Sequence, residues 1–547
     1  MRLSFFLLIA LVAAGEPAAA QGAAPRIVNI VNFIRELEPR DPRITKDVLY
    51  QTVVQQVELM KQYNLGGTFL LQYDALIDPR YQELLKSLPK GTFEIGAWWE
   101  LPQPLIEKAG LKWRGQYPWD WRPNVGFATG YTPAEREKLV DVYMHDFKAI
   151  FGYYPKSVAS WFIDAHTLAY MYDKYGIVAS ANCKDQYGTD GYTLWGGYWN
   201  QAYYPSKVNA YMPAQHENQQ IPVPIFRMLG SDPIRQYDNG LGNERQGVVT
   251  LEPVYRFGGG DSAWVDWFLR QFVDGEPLAF AYTQAGQENS FTWRSMARGL
   301  ELQFPLIARL RDDHKVKVET LAGSGAWFKA HYKVTPATAV TYLKDLGARD
   351  KKTVWFDSRF YRVNFLWAGD SLRIRDIHLF DERVVEPYDK EPLTGNAAAF
   401  YTLPFVDGYL WSDRSTLAGI RFAKADGQPL TGGTPKVTSP APGHLHIAWP
   451  LQTDSLTIDL DERTMVIRCK TPWYAELRTA PNAKLPFTTI KPYEVTATED
   501  GFPYRVSTRL GTFSRPADAK DAAGATSPAG AALRITPEGG AVEMLFR

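Results

Sequence analysis

Apolar residues follow two alternating rhythms along the first 335 positions of the chain. Residues 26–33 (RIVNIVNF) form a β-rich apolar run that breaks into a charged string at 34–41. Pro39 and Pro42 stop the strand there, because proline lacks the donor a ladder needs. Between 47 and 63, Leu49, Val53, Val57 and Met60 return at helical spacing, which predicts a helix burying one stripe. Gly66 and Gly67 end it, residues 68–72 read as a second strand, and residues 92–98 read as a third strand running into Trp99 and Glu100. Thr132 as cap and Pro133 at the first helical position open a helix over 133–151. Residues 158–163, 167–175 and 177–181 then read as strand, helix and strand. A sixth strand is expected at 223–229, a helix from Asp261 and a seventh strand at 277–282.

Strand and helix alternating in this way give a parallel sheet with helices outside it. Seven such units are one short of the eight-fold barrel, so the expected fold is α/β: an irregular seven-stranded (β/α) barrel over residues 21–346. A helix over 336–346 is expected to lead out of it. From 347 to 547 the texture changes to short β-like runs separated by turn residues, which predicts a β-sandwich-like C-terminal domain. Residues 515–532, rich in Ala, Gly and Pro, read as a loop before a final strand.

Composition narrows the partners. Sixty basic residues balance sixty acidic ones, so the chain lacks the basic footprint that nucleic acid requires. Residues 1–20 combine Arg2, an apolar run at 5–14 and small residues at Ala18 and Ala20, the pattern of a secretory signal peptide cleaved after Ala20. That run is too short to span a bilayer, and export to the periplasm or the extracellular space is the expected address. Cys183 and Cys469 form no disulfide framework and read as two separate buried thiols.

Chemistry is expected at the carboxyl ends of the strands. Glu36 and Glu38 follow the first strand, with Arg35 and Arg40 as ion-pair partners; Trp98, Trp99 and Glu100 end the third. Asp164 and His166 follow the fourth strand, and Lys184 and Asp185 follow the fifth. Gln284, Gln287 and Glu288 follow the seventh, in an amide-rich stretch suited to hydroxyl groups. Residues 192–204 crowd Tyr192, Trp195, Tyr198, Trp199, Tyr203 and Tyr204 among glycines. Such a loop reads as an aromatic platform for a sugar, with Trp195 and Trp199 as its stacking faces. The connection over 101–132, rich in tryptophan, is longer than an idle loop needs to be.

The order of elements over residues 26–335 resembles the glycoside hydrolase and deacetylase (β/α)-barrel superfamily, which holds polysaccharide deacetylases and the family 57 and 38 glycoside hydrolases. The deacetylases carry a paired aspartate after the first strand and a His-x-x-x-His run after the third, which hold a metal. Here those places read Phe33-Ile34-Arg35-Glu36-Leu37-Glu38 and Gly96-Ala97-Trp98-Trp99-Glu100, without histidine. No metal site and no organic cofactor are therefore expected, although carboxylates alone could serve a hard divalent cation. The family 57 enzymes use carboxylates after strands four and seven. The resemblance thus implies Asp164 as nucleophile or base and Glu288 as proton donor, with Asp and Glu exchanged relative to that family.

The resulting expectation is an exported hydrolase that cleaves glycosidic bonds of an oligo- or polysaccharide with a carboxylate pair. Two alternatives remain open at this point. One is a deacetylase-like esterase with an altered metal site, and the other is a glycan-binding protein without catalysis.

Overall fold

The computed structural model describes residues 24–347, 349–516 and 531–547. Residues 1–20 lie outside that range, and so does most of the loop expected over 515–532. No helix among the described residues is long and apolar enough to cross a membrane.

Seven parallel strands form the centre of the N-terminal part: β1 (Arg26–Ile34), β2 (Gly67–Leu71), β3 (Phe93–Trp98), β4 (Ser157–Ala159), β5 (Ala179–Asn182), β6 (Ile225–Arg227) and β7 (Ala281–Ala285). They lie side by side in the order β7-β1-β2-β3-β4-β5-β6, curling into a half-barrel. Helices α1 (Lys46–Gln62), α2 (Pro133–Phe151), α3 (Ala165–Tyr175), α4 (Ser262–Asp274) and α5 (Thr292–Asp312) accompany them. β1 is buried along eight of its nine residues, which is why it reads as a continuous apolar run rather than an alternating one. The stripe of α1 is buried as its spacing implies, and Thr132 caps α2 in a reciprocal capping box with Glu135.

Backbone pairing does not join β6 to β7. Ala202–Tyr203 instead adds to β6 as an antiparallel edge. The seam is spliced by Gln201: its carbonyl accepts from Arg227 N at 3.0 Å, and its side-chain Oε1 accepts from Tyr282 N at 2.8 Å. One residue thereby satisfies a backbone group on each side of the gap.

Several elements differ from the sequence expectation, three of them in ways that shape the molecule. β4 stops at Ala159; Ser160 still donates its backbone N–H to Ala181 O at 3.1 Å and its hydroxyl to Trp99 O, but regular strand geometry ends there. β7 begins at Ala281 rather than 277, since Leu278 takes a positive φ of 60° and bridges to Thr338. The expected helix over 336–346 is strand β8 (Thr338–Tyr342), paired antiparallel with β9 (Lys351–Asp357). Its alternating β-branched Thr338, Val340 and the neighbouring Thr341 fit a pleated surface better than a helix.

Two antiparallel sheets make up the C-terminal part. The first contains β8, β9, β10 (Tyr361–Ala368) and β11 (Ser371–Leu379); its strands are buried on both faces. The second buries alternate residues only, as a sheet with one solvated face does. Tyr361 stacks on Phe546 with centroids 4.0 Å apart, tying one sheet to the other.

The other face of the first sheet meets the half-barrel, and the aromatic stretch expected to bind sugar is spent there. Trp199 lies flat on Trp355 of β9, with centroids 3.7 Å apart and planes 1° from parallel. Trp195 is fully buried, donates Nε1–H to Asp407 Oδ2 at 2.7 Å, and packs on Tyr237 and Tyr409. The platform expectation is thus corrected: these rings had more to gain from burial between two layers than from facing solvent. Asp185 is corrected in the same way. Arg227, Arg362 and Tyr211 bind its oxygens at 2.8, 2.5 and 2.6 Å, and Arg362 also grips Asp376 through two 2.8 Å contacts. Burial pushes the Asp185 carboxyl up, but the charges of Arg362 and Arg227 outweigh it and hold the carboxyl below the usual carboxylate range. Cys183 and Cys469 are buried and unbridged.

Trp199→Ala is expected to destabilise the protein by about 3–5 kcal/mol, the cost of truncating a fully packed aromatic ring. Urea denaturation followed by fluorescence measures this, and a loss below about 1 kcal/mol would remove the stack from the interface.

Candidate active site

A cavity of about 730 Å³ opens at the carboxyl ends of the strands. Arg35, the residue after β1, lies at its base and is 2% exposed. Its Nε and Nη2 donate to the two oxygens of Glu100 at 2.8 and 2.9 Å, while Nη1 lies 2.7 Å from Glu288 Oε2. The ring of Trp119 covers the guanidinium at 4.2 Å. A planar fork with several donors can serve two carboxylates at once, which a lysine ammonium would do without fixing their orientation.

The placement of Arg35 is set by amides. Asn289 accepts from Arg35 N at 2.9 Å and donates to Arg35 O at 2.8 Å, continuing the β1–β7 pairing beyond the strand ends with a side chain. Gln56 donates to Asn32 Oδ1 and Gln287 O, both at 3.0 Å, and holds the turn after β7 against β1. Gly286 makes that turn with φ 99°, and a Cβ there would lie 2.2 Å from Val31 O. Only glycine permits both the conformation and the approach.

Glu288 is 4% exposed, and Ser290 donates its hydroxyl to Oε1 at 2.7 Å. Burial, reinforced by the charge of Glu100, pushes the Glu288 carboxyl up to about 7 against the pull of Arg35 and Ser290. The 2.7 Å contact of Oε2 with Arg35 is not aligned as a hydrogen bond, which leaves that oxygen free to turn to a ligand. A third acid, Glu252, accepts from Thr250 Oγ1 at 2.8 Å and Gln287 Nε2 at 3.1 Å; burial raises its carboxyl as well.

Of the residues expected from the sequence, Glu38, Glu100, Lys184 and Glu288 line the cavity. Gln287 supports it from behind, donating to Glu252 and accepting from Glu288 N at 2.9 Å. Trp98 sits one layer below, stacked on Phe33 at 4.2 Å and edge-on to Trp161, which does line it. Asp164 is not brought to the cavity. It caps α3 by accepting from Thr167 N at 2.8 Å and pairs with the buried Arg136 at 3.0 Å. His166 faces Glu137 and Glu36 faces Lys46, both away from the cavity. Gln284 is buried within β7, and its side-chain amide has no hydrogen-bond partner among the described residues.

The connection over 101–132 supplies the aromatic wall. Trp119 and Trp121 line the cavity, and the Arg40 guanidinium lies over both, 5.1 and 5.4 Å from their centroids. The length of this connection marks it in the sequence, but its tryptophans carry no assigned role there, and Arg35 reads only as an ion-pair partner of Glu36 and Glu38. The signal available was the position of Arg35 directly at the end of an apolar strand.

Among the described residues, no three His, Cys, Asp or Glu side chains gather to hold a metal ion. At the base of the cavity the Arg35 guanidinium already stands between Glu100 and Glu288, so a second cation there would meet a like charge. The donor set does not fit the divalent metal of the deacetylases.

Residues 121–299 match a family model described as a Domain of Unknown Function with solved-structure structure (DUF3863). No curated protein matches the chain. Among solved structures, a candidate glycoside hydrolase/deacetylase from Parabacteroides distasonis superposes with TM-score 0.53 at 18% identity, over 70% of this chain and 91% of that one. A candidate polysaccharide deacetylase from Mycobacterium smegmatis gives TM-score 0.37 at 13% identity, over 59% of this chain and 96% of that one. A 4-alpha-glucanotransferase from Thermococcus litoralis gives 0.32 at 11%, over 96% and 100%. In fold, the chain is similar to that Parabacteroides distasonis protein.

Proposed function

We propose that the cavity is the active site of a carbohydrate-active hydrolase, carried on an irregular seven-stranded barrel, that cleaves a glycosidic bond with Glu288 as proton donor and Glu100 as ionised partner. The observation that carries this reading is the sharing of one buried guanidinium by two carboxyls of unlike environment. Glycosidic cleavage needs one carboxyl protonated and a second charged. Glu288, raised to about 7, holds a proton near neutral pH, and Glu100 is paired with Arg35 through both oxygens. Each oxygen of Glu100 keeps a second lone pair with which to attack the sugar or to activate water. When Glu288 releases its proton to the leaving oxygen, its new charge faces Arg35 Nη1 and is stabilised there. The walls of Trp119 and Trp121 suit the faces of sugar rings.

The name of the Parabacteroides distasonis protein carries both hydrolysis and deacetylation. The donor set favours the first for this chain, because metal-assisted deacetylation would require displacing Arg35. Engagement of both Glu100 oxygens by Arg35 favours one rival, a glycan-binding protein without turnover. We extend the proposal to export, on the leader pattern of residues 1–20.

Glu288→Gln and Glu100→Gln should each lower turnover by roughly a thousandfold or more on a cleaved glycan; Glu288→Gln should melt like the parent, whereas Glu100→Gln should melt lower because Arg35 loses its bidentate partner. Azide should partly restore Glu100→Ala if that carboxylate is the nucleophile, and kcat/KM should fall above about pH 7 as Glu288 loses its proton. Near-parental activity in Glu288→Gln would end the assignment, and affinity without product across a glycan panel would establish the rival.

The same carboxyl predicts a stability profile. Its folded value of about 7 lies above the ordinary 4.5, so the folded state holds the proton more tightly than the unfolded chain. This contribution is fully present below pH 4.5 and is lost as pH rises through about 7, on the order of 3 kcal/mol in all. Urea midpoints between pH 5 and 8 should fall for the parent and flatten for Glu288→Gln; parallel profiles would show that Glu288 does not titrate in this window.

A further inference from the structure

The cations lining the cavity are not equivalent. Arg35 is neutralised by Glu100 and Glu288, Arg40 by Glu38, and Arg122 by Asp120. Lys184, which follows β5 and is 1% exposed, has no carboxylate partner within 4.0 Å among the described residues. Its ammonium meets only neutral acceptors, Asp185 O at 3.3 Å and Gln186 Oε1 at 3.4 Å, both at the long end for a charged donor. Among the acids lining the cavity, Glu252 attracts Lys184 only from beyond 4.0 Å and is held by Thr250 and Gln287, and Asp190 lies beyond 4.0 Å as well. Arg245, at the mouth on the same side, is exposed and also unpaired among the described residues.

A buried ammonium without a counter-ion in contact is costly, and a fold keeps one where something else can supply the charge at close range. We infer that Lys184 is a specificity residue for an anionic substituent of the glycan, a carboxylate or a sulfate ester, with Arg245 drawing such substrates to the mouth. The inference rests on the reading of the cavity as a glycan site and adds the substrate class: acidic rather than neutral chains. A charged subsite discriminates strongly, because a neutral sugar leaves the buried ammonium unpaired.

Calorimetric titration of the full chain carrying Glu288→Gln, to suppress turnover, tests this with uronate-bearing, sulfated and matched neutral oligosaccharides. Acidic ligands should bind at least about tenfold more tightly than neutral ones, and the uronate and sulfate arms identify the group. Adding Lys184→Met should collapse that ratio towards one, and Lys184→Arg should keep it. Lys184→Met should also melt above its parent, since it removes an unpaired buried charge; a merely structural lysine would melt lower. Equal affinity for acidic and neutral ligands overturns the inference and leaves the glycan reading standing. A ratio unchanged by Lys184→Met overturns it too, and no binding of any glycan removes both.

Discussion

One buried guanidinium organises the chemistry of this protein. Arg35 is always charged, and at 2% exposure that charge needs counter-charges close by. Glu100 from the end of β3 supplies the paired charge and Glu288 from the turn after β7 a second carboxyl at 2.7 Å, so three strand ends are locked together through a single side chain. The two acids then differ by geometry alone. Glu100 takes two aligned donors from the fork, and Glu288 takes an unaligned contact plus a hydroxyl, which is why burial still drives its carboxyl upward.

What the sequence made legible follows from how local each feature is. Strand and helix alternation, the cap at Thr132 and the carboxylate at Glu288 are set by a few neighbouring residues and could be read directly. Asp164 shows where local reading stops. A carboxylate after a strand and before a helix can face a cleft or cap the helix, and only the distant Arg136 decides between them. Trp195 and Trp199 make the same point for aromatic residues. Their glycine-rich surroundings suggest an open loop, but their partners, Asp407 and Trp355, lie more than 150 positions away in the second half of the chain. The unpartnered state of Lys184 is a property of absence, which spacing along a chain cannot express.

The interface between the half-barrel and the first C-terminal sheet is unusual in mixing stacked indoles with a closed set of charges. Asp185, Arg227, Arg362 and Asp376 leave each ion with an opposite neighbour, so the layer can be buried without an isolated charge. Lys184 follows directly in sequence from Cys183 and precedes Asp185, so one strand end carries a residue facing the cavity beside one facing this layer. The position of the C-terminal sheet is thereby coupled to the wall of the cavity through a single peptide unit.

The splice at Gln201 gives the sheet a mechanical property that a continuous ladder would lack. Elsewhere, releasing a backbone amide requires two strands to separate over several residues. At this seam the Tyr282 amide is held by a side chain, and rotation about the χ angles of Gln201 frees it while β6 and β7 stay in place. Closure of the sheet at this slot therefore depends on one rotamer, which the packing around the buried Gln201 holds in place.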